Sequence, residues 1–134
     1  ETLAAENQYS FVQLPPAQPT LDSLTLAAKG DATAFSNLSA LAFAELAVAV
    51  ADIETALRDA VGYEKINYLM LMMVDPNVHF HVIPRYEGSR EAEGLRIADA
   101  GWPKVPALGE AVTLDAPQIA ALVNWLKARW PTAR

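Results

Sequence analysis

The 134-residue chain contains no cysteine. That excludes a disulfide framework, a thiolate metal site and a cysteine nucleophile, and it fits the cytoplasmic location expected for this protein. Histidine is almost as scarce, with His79 and His81 the only two. Positive charge is also in deficit: ten Lys and Arg stand against sixteen Asp and Glu, a net charge of -6. Such a chain lacks the basic surface that nonspecific nucleic-acid binding needs, although a local cluster around Arg85 can still hold a small nucleotide. No apolar run approaches the ~20 residues of a membrane span, and no charged-then-apolar leader is visible at the start, which is Glu1 rather than methionine. Neither nucleic acid nor a membrane is therefore an expected partner. What is abundant is apolar residues, 52% of the chain. That is enough to bury one core without staples, so residues 1–134 are expected to form a single domain.

Periodicity sorts the chain into hairpin, helix, hairpin, irregular segment and helix. Residues 9–14 and 20–28 read as strands, with Pro15, Pro16 and Pro19 enforcing the reversal between them. From Ala40 to Val61, Leu46, Val50, Ile53, Leu57 and Val61 recur at spacings of three or four and predict one long helix. Ser39 is its candidate N-cap and Gly62 its terminator. Alanines 40, 42, 44, 47, 49 and 51 thicken one flank, for packing on a sheet or for a helix–helix contact across a dimer axis. A second hairpin runs from Lys65 to Met73 and from Asn77 to Ile83, turning through Asp75-Pro76. Residues 87–113 read mostly as loop. Asp115-Ala116-Pro117-Gln118 then opens a final helix ending at Pro131, with an acid cap, an early proline and a glutamine three positions on.

Both histidines lie in Asn77-Val78-His79-Phe80-His81-Val82-Ile83-Pro84-Arg85. Side chains alternate between the faces of a strand, so Asn77, His79, His81 and Arg85 are expected to project together while Val78, Phe80 and Val82 point into a core. Two imidazoles, an amide and a guanidinium on one face suit phosphate chemistry. Histidine titrates near neutrality and serves as nucleophile, acid or ligand, and arginine's fork of donors matches phosphate oxygens. The same pattern also describes two exposed strand histidines with no chemical role.

The run His79-Phe80-His81-Val82-Ile83-Pro84-Arg85, preceded by Lys65-Ile66-Asn67-Tyr68 and Asp75-Pro76, resembles the histidine triad (HIT) superfamily. That signature is three histidines at alternate positions, each followed by an apolar residue. The resemblance covers a core of residues 9–86, followed by a C-terminal extension 87–134, of which the part as far as Trp102-Pro103 is similar to a bacterial subgroup of diadenosine polyphosphate hydrolase-like proteins. It implies an α+β HIT-like fold: an antiparallel sheet of about five strands, one long helix and a C-terminal helix. It also implies a homodimer. The chain departs from the pattern at four places: Asn77 stands at the first histidine, Ser23 at a histidine of the opening hairpin, Pro15 at the ribose-binding acid or amide, and Met72-Met73-Val74 in the polar loop before the triad.

By this resemblance His79 is the nucleophile that attacks the phosphorus of a nucleotide and forms a covalent nucleotidyl-histidine. A carbonyl at position 77 orients its ring, and His81 binds the attacked phosphate. Asn77, Asn67 and Arg85 are the expected substrate-binding residues. Arg85 lies ~13 Å beyond His81 on an ideal strand, either to reach a neighbouring phosphate or to hold the loop from Tyr86. Neither a metal nor another cofactor is expected. Two alternatives compete: a HIT-fold nucleotide-binding protein with weak or no catalysis, and a metal site on His79-x-His81, which would need a third ligand.

Overall fold

The computed structural model describes residues 2–131. Its elements run β1 (Leu3–Glu6), β2 (Ser10–Gln13), β3 (Ala17–Gln18), β4 (Leu24–Ala28), α1 (Ala40–Val61), β5 (Lys65–Leu69), β6 (His79–Arg85), β7 (Ser89–Ala92), β8 (Leu95–Ala98), β9 (Val112–Thr113) and α2 (Ala116–Lys127). Five strands form an antiparallel sheet in the order β1-β2-β4-β6-β5, while β3 pairs with β9 and β7 with β8. The fold is the expected α+β arrangement, a five-stranded antiparallel sheet with one long and one C-terminal helix.

Local chemistry sets both helices. Ser39 accepts the amide of Ala42, and Gly62 closes α1 in the left-handed region at φ 54, where a residue without Cβ is favoured. Asp115 and Gln118 form a reciprocal capping box at the start of α2. That helix stops at Lys127, four residues before Pro131. Buried α1 residues Ile53, Ala56, Leu57 and Val61 share a core with Val12, Leu24, Leu26 and Val82 of the sheet and with Ile119, Leu122, Val123 and Leu126 of α2. The helices thus cover one sheet face and leave the other for chemistry.

Three expectations are corrected. A strand precedes the opening hairpin: β1 pairs with β2 through a bulge and forms one sheet edge. The supposed loop 87–113 holds the β7–β8 hairpin, closed by Glu93 and Gly94 at φ 51 and 77, the two left-handed positions a tight hairpin turn requires. Finally, β5 ends at Leu69 rather than Met73. Beyond it Met72 takes φ 54 and the chain leaves the sheet, with Met73 and Val74 83% and 96% exposed.

Candidate active site

The register of β6 builds the site. His79 and His81 lie opposite Ala27 and Thr25 of β4, and Thr25 lies opposite Gln13 of β2. Opposed residues share a face, so Gln13, Thr25 and the two histidines meet on the face not covered by the helices. The imidazole centroids are 5.1 Å apart, with the rings edge to face. His79 is buried and His81 half-buried. His79 Nδ1 lies 2.7 Å from the carbonyl oxygen of Asn77. A carbonyl can only accept, so Nδ1 carries the proton and Nε2 is left as the basic nitrogen. Burial, and secondarily the neighbouring His79, lower the pKa of His81. In the free site this favours the neutral ring, which still offers one N–H to an anion.

Two hollows flank this pair, one touching both rings and the other His81 alone. One, of about 390 Å³, is lined by both histidines with Gln13, Thr25, Leu71, Met73, Val74 and Asp75. The other, of about 240 Å³, has mainly apolar walls, among them Pro15, Pro19, Leu24, Leu71, Ile83 and Leu108, and meets the first at His81. The methionine-rich segment after β5 thus forms part of an exposed wall beside the histidines, although a methionine run in a strand is more often core. Among the described residues, no group of three His, Cys, Asp or Glu side chains is placed to hold a metal ion.

The structure separates the remaining expected site residues from the histidines. Asn77 precedes β6 on a bend, where its amide donates to Asp75 Oδ1 at 2.9 Å. The alternation that was to aim its side chain with His79 starts only at His79, and its carbonyl is the group that reaches the site. Arg85 shares the histidine face but lies at its far end, 3% exposed. Its Nε and Nη2 donate to Asp99 at 2.7 and 3.1 Å, Nη1 to Asn67 Oδ1 at 2.7 Å, and Nη2 also to the carbonyl of Lys104 at 2.7 Å. Of the two roles considered for Arg85, the geometry favours holding the following loop, and Asn67 serves the same network. Gln13, Thr25 and Asp75 were missed. Strand register with β6 identifies the first two, while the Asp75-Pro76 turn was visible only as a turn.

No family sequence model matches the chain, and no curated protein does. Solved structures do. A histidine triad protein from Bradyrhizobium japonicum superposes with a TM-score of 0.75 at 21% identity, over 96% of this chain and 90% of the other. A histidine triad protein from Sinorhizobium meliloti gives 0.74 at 22% identity, over 96% and 88%. The chain therefore has the HIT fold. More distantly, the diadenosine triphosphate hydrolase of Plasmodium falciparum gives a TM-score of 0.68 at 10% identity, over 95% of this chain and 74% of that one.

Proposed function

We propose that this protein is a nucleotide hydrolase or transferase that attacks the α-phosphate of a dinucleoside polyphosphate or related nucleotide conjugate. The observation that carries the proposal is the 2.7 Å contact between His79 Nδ1 and the Asn77 carbonyl, which leaves Nε2 as the nucleophilic nitrogen. Attack by Nε2 forms an N–P bond as the P–O or P–N bond to the leaving group breaks. In the second half-reaction water attacks the same phosphorus, the N–P bond breaks, and the nucleoside monophosphate departs. His81, adjacent to it, donates an N–H to the oxygens of the transferred phosphate. The apolar hollow beside His81 holds the nucleoside. Support also comes from the fold, shared with a protein described as a diadenosine triphosphate hydrolase.

The reading extends to assembly and location. Phe35, Leu41, Phe43 and Val48 are 40–63% exposed. Phe35 packs against Phe43 and Phe80, and Phe80 also lines an apolar hollow with Leu26, Leu46, Val50 and Tyr68. A continuous apolar face of this kind suits a second copy of the chain across a two-fold axis. A dimeric mass by light scattering at micromolar concentration is expected, and a monomeric mass would remove this part. The cytoplasm, where nucleotides abound, is the proposed location.

The test is to trap the intermediate. Protein mixed with diadenosine tetraphosphate and quenched in mild alkali should gain the mass of one adenylate on the peptide containing His79. His79→Ala should show no adduct and no turnover while still binding nucleotide. Wild-type hydrolysis rates in His79→Ala would overturn the mechanism. Tight nucleotide binding without turnover in the wild type would make this a binding protein instead.

A further inference from the structure

A further hollow, of about 560 Å³, lies against the sheet-edge strand β5, lined by Lys65, Asn67, Leu69, Arg85 and the segment Trp102–Pro106. It shares no lining residue with the two hollows beside the histidines. Its volume is in the range of sites that hold drug-sized ligands. Its charge is opposite to that of the chain, whose net charge is -6. Asp99 balances Arg85 through a buried ion pair, but Lys65 and Lys104 have no ion-pair partner among the described residues. Arg85 makes four hydrogen bonds, one fewer than its five donors allow.

The outer wall of this cleft is built rather than draped. The Arg85 guanidinium holds the Lys104 carbonyl, and Asp99 accepts the amide of Gly101. The Lys104 amide returns to the carbonyl of Gly101. A Cβ at Gly101 would collide with the carbonyl oxygen of Val105, so glycine is what lets this loop close on itself. These contacts place half-buried Trp102 beside the two lysines.

The cleft is in line with the chemistry. Leu69 lies opposite His81 and Lys65 opposite Arg85 on the same pair of strands. Four residues at ~3.3 Å per residue set the two ends ~13 Å apart along one sheet face. We infer that this cleft binds the leaving half of a two-headed substrate, a nucleoside phosphate whose ring lies against Trp102 and whose phosphates meet Lys65 and Lys104. The inference rests on the nucleotide-cleaving role of His79 proposed above, and it names the part of the substrate that role leaves unassigned. Each lysine acts as a point charge for phosphate, and aromatic stacking accepts any base.

The experiment compares two substrates cleaved at the same histidine: diadenosine tetraphosphate, which has a second nucleotide, and adenosine 5′-phosphoramidate, which loses only ammonia. In Lys65→Glu and Lys104→Glu, the ratio of kcat/KM for the tetraphosphate to that for the phosphoramidate should fall by about tenfold or more. The wild-type ratio should also fall as salt screens the exposed lysines, and Trp102→Ala should raise KM for the tetraphosphate more than for the phosphoramidate. Both lysines are exposed, so their replacement leaves the core intact. Cleavage of both substrates with an unchanged ratio in both lysine variants would overturn the cleft assignment and leave the role of His79 standing. Cleavage of neither substrate by the wild type would remove the catalytic reading, and the cleft assignment with it.

Discussion

One face of the sheet carries two kinds of polar group within a single strand. At the start of β6, His79 and His81 border open space: His79 has one hydrogen bond, to a backbone carbonyl, and both rings line a hollow. At its end, Arg85 is buried, and its neighbours Asn67, Asp99 and the Lys104 carbonyl are all engaged. The network continues through Tyr86, whose amide donates to Asp99 and whose hydroxyl bridges the amide of Leu21 and the carbonyl of Ile97. Residue type does not separate the two ends, since either set could bind phosphate. What separates them is whether donors and acceptors are already matched within the protein. Unmatched groups beside a cavity can serve a ligand, whereas matched and buried ones hold the frame that positions it.

The largest expected effect comes from breaking the frame. Arg85→Ala would leave Asp99 as an uncompensated buried charge and should cost roughly 3–5 kcal/mol of stability. His79→Ala, at the other end of the strand, should abolish turnover with a much smaller stability loss. Urea denaturation of the two variants side by side checks this. Equal losses would erase the distinction between the two ends.

A second prediction concerns an unmatched acid near the frame end. Asp22 is fully buried at φ 62, and neither carboxylate oxygen has a hydrogen-bond partner among the described residues. Burial pushes its pKa up from 3.8 to about 7, against the opposing pull of Arg129. Because the folded value is the higher one, unfolding releases a proton between these limits. This group's contribution to stability therefore declines as the pH rises from 3.8 to about 7 and stays low above. Asparagine tolerates the left-handed backbone, so Asp22→Asn should gain roughly 1–3 kcal/mol at pH 8. Near pH 3.5 the gain should vanish. Melting curves of wild type and variant across that range measure it, and a gain that did not depend on pH would contradict the assignment.

The smallest effect is expected at Asn77. Its side chain is exposed on a bend and its carbonyl is present whatever the residue. Asn77→His should leave turnover within about ±0.5 kcal/mol of the wild type, roughly a factor of two. A large gain in kcat would show that the position carries a proton rather than only a carbonyl.

Much of this architecture is legible in the sequence because it is set locally. The long helix runs over the predicted residues 40–61, with Ser39 and Gly62 at its ends, because apolar spacing and caps act within a few residues. The capping box of α2 is readable for the same reason. The β7–β8 hairpin was not read: Ser89-Arg90-Glu91-Ala92 and Leu95-Arg96-Ile97-Ala98 lack runs of β-branched residues, and only Glu93-Gly94 marks the turn. Within the site, the histidines and the carbonyl that orients His79 follow from the motif. Gln13 and Thr25 depend on register between distant strands. Asp99 depends on which acid the fold delivers to Arg85, and nothing within a few residues of Arg85 specifies that.

The bond between His79 and the carbonyl of residue 77 has a consequence for how such a site can evolve. A main-chain oxygen is not encoded by any codon, so the contact that orients the His79 ring persists through substitution at position 77. Selection on the chemistry then bears on the bend that aims the carbonyl, with Asp75 accepting the amide two residues on, and on the two rings, more than on the identity of residue 77. Under the role proposed for His79, a chain with two histidines keeps the contact that orients its nucleophile.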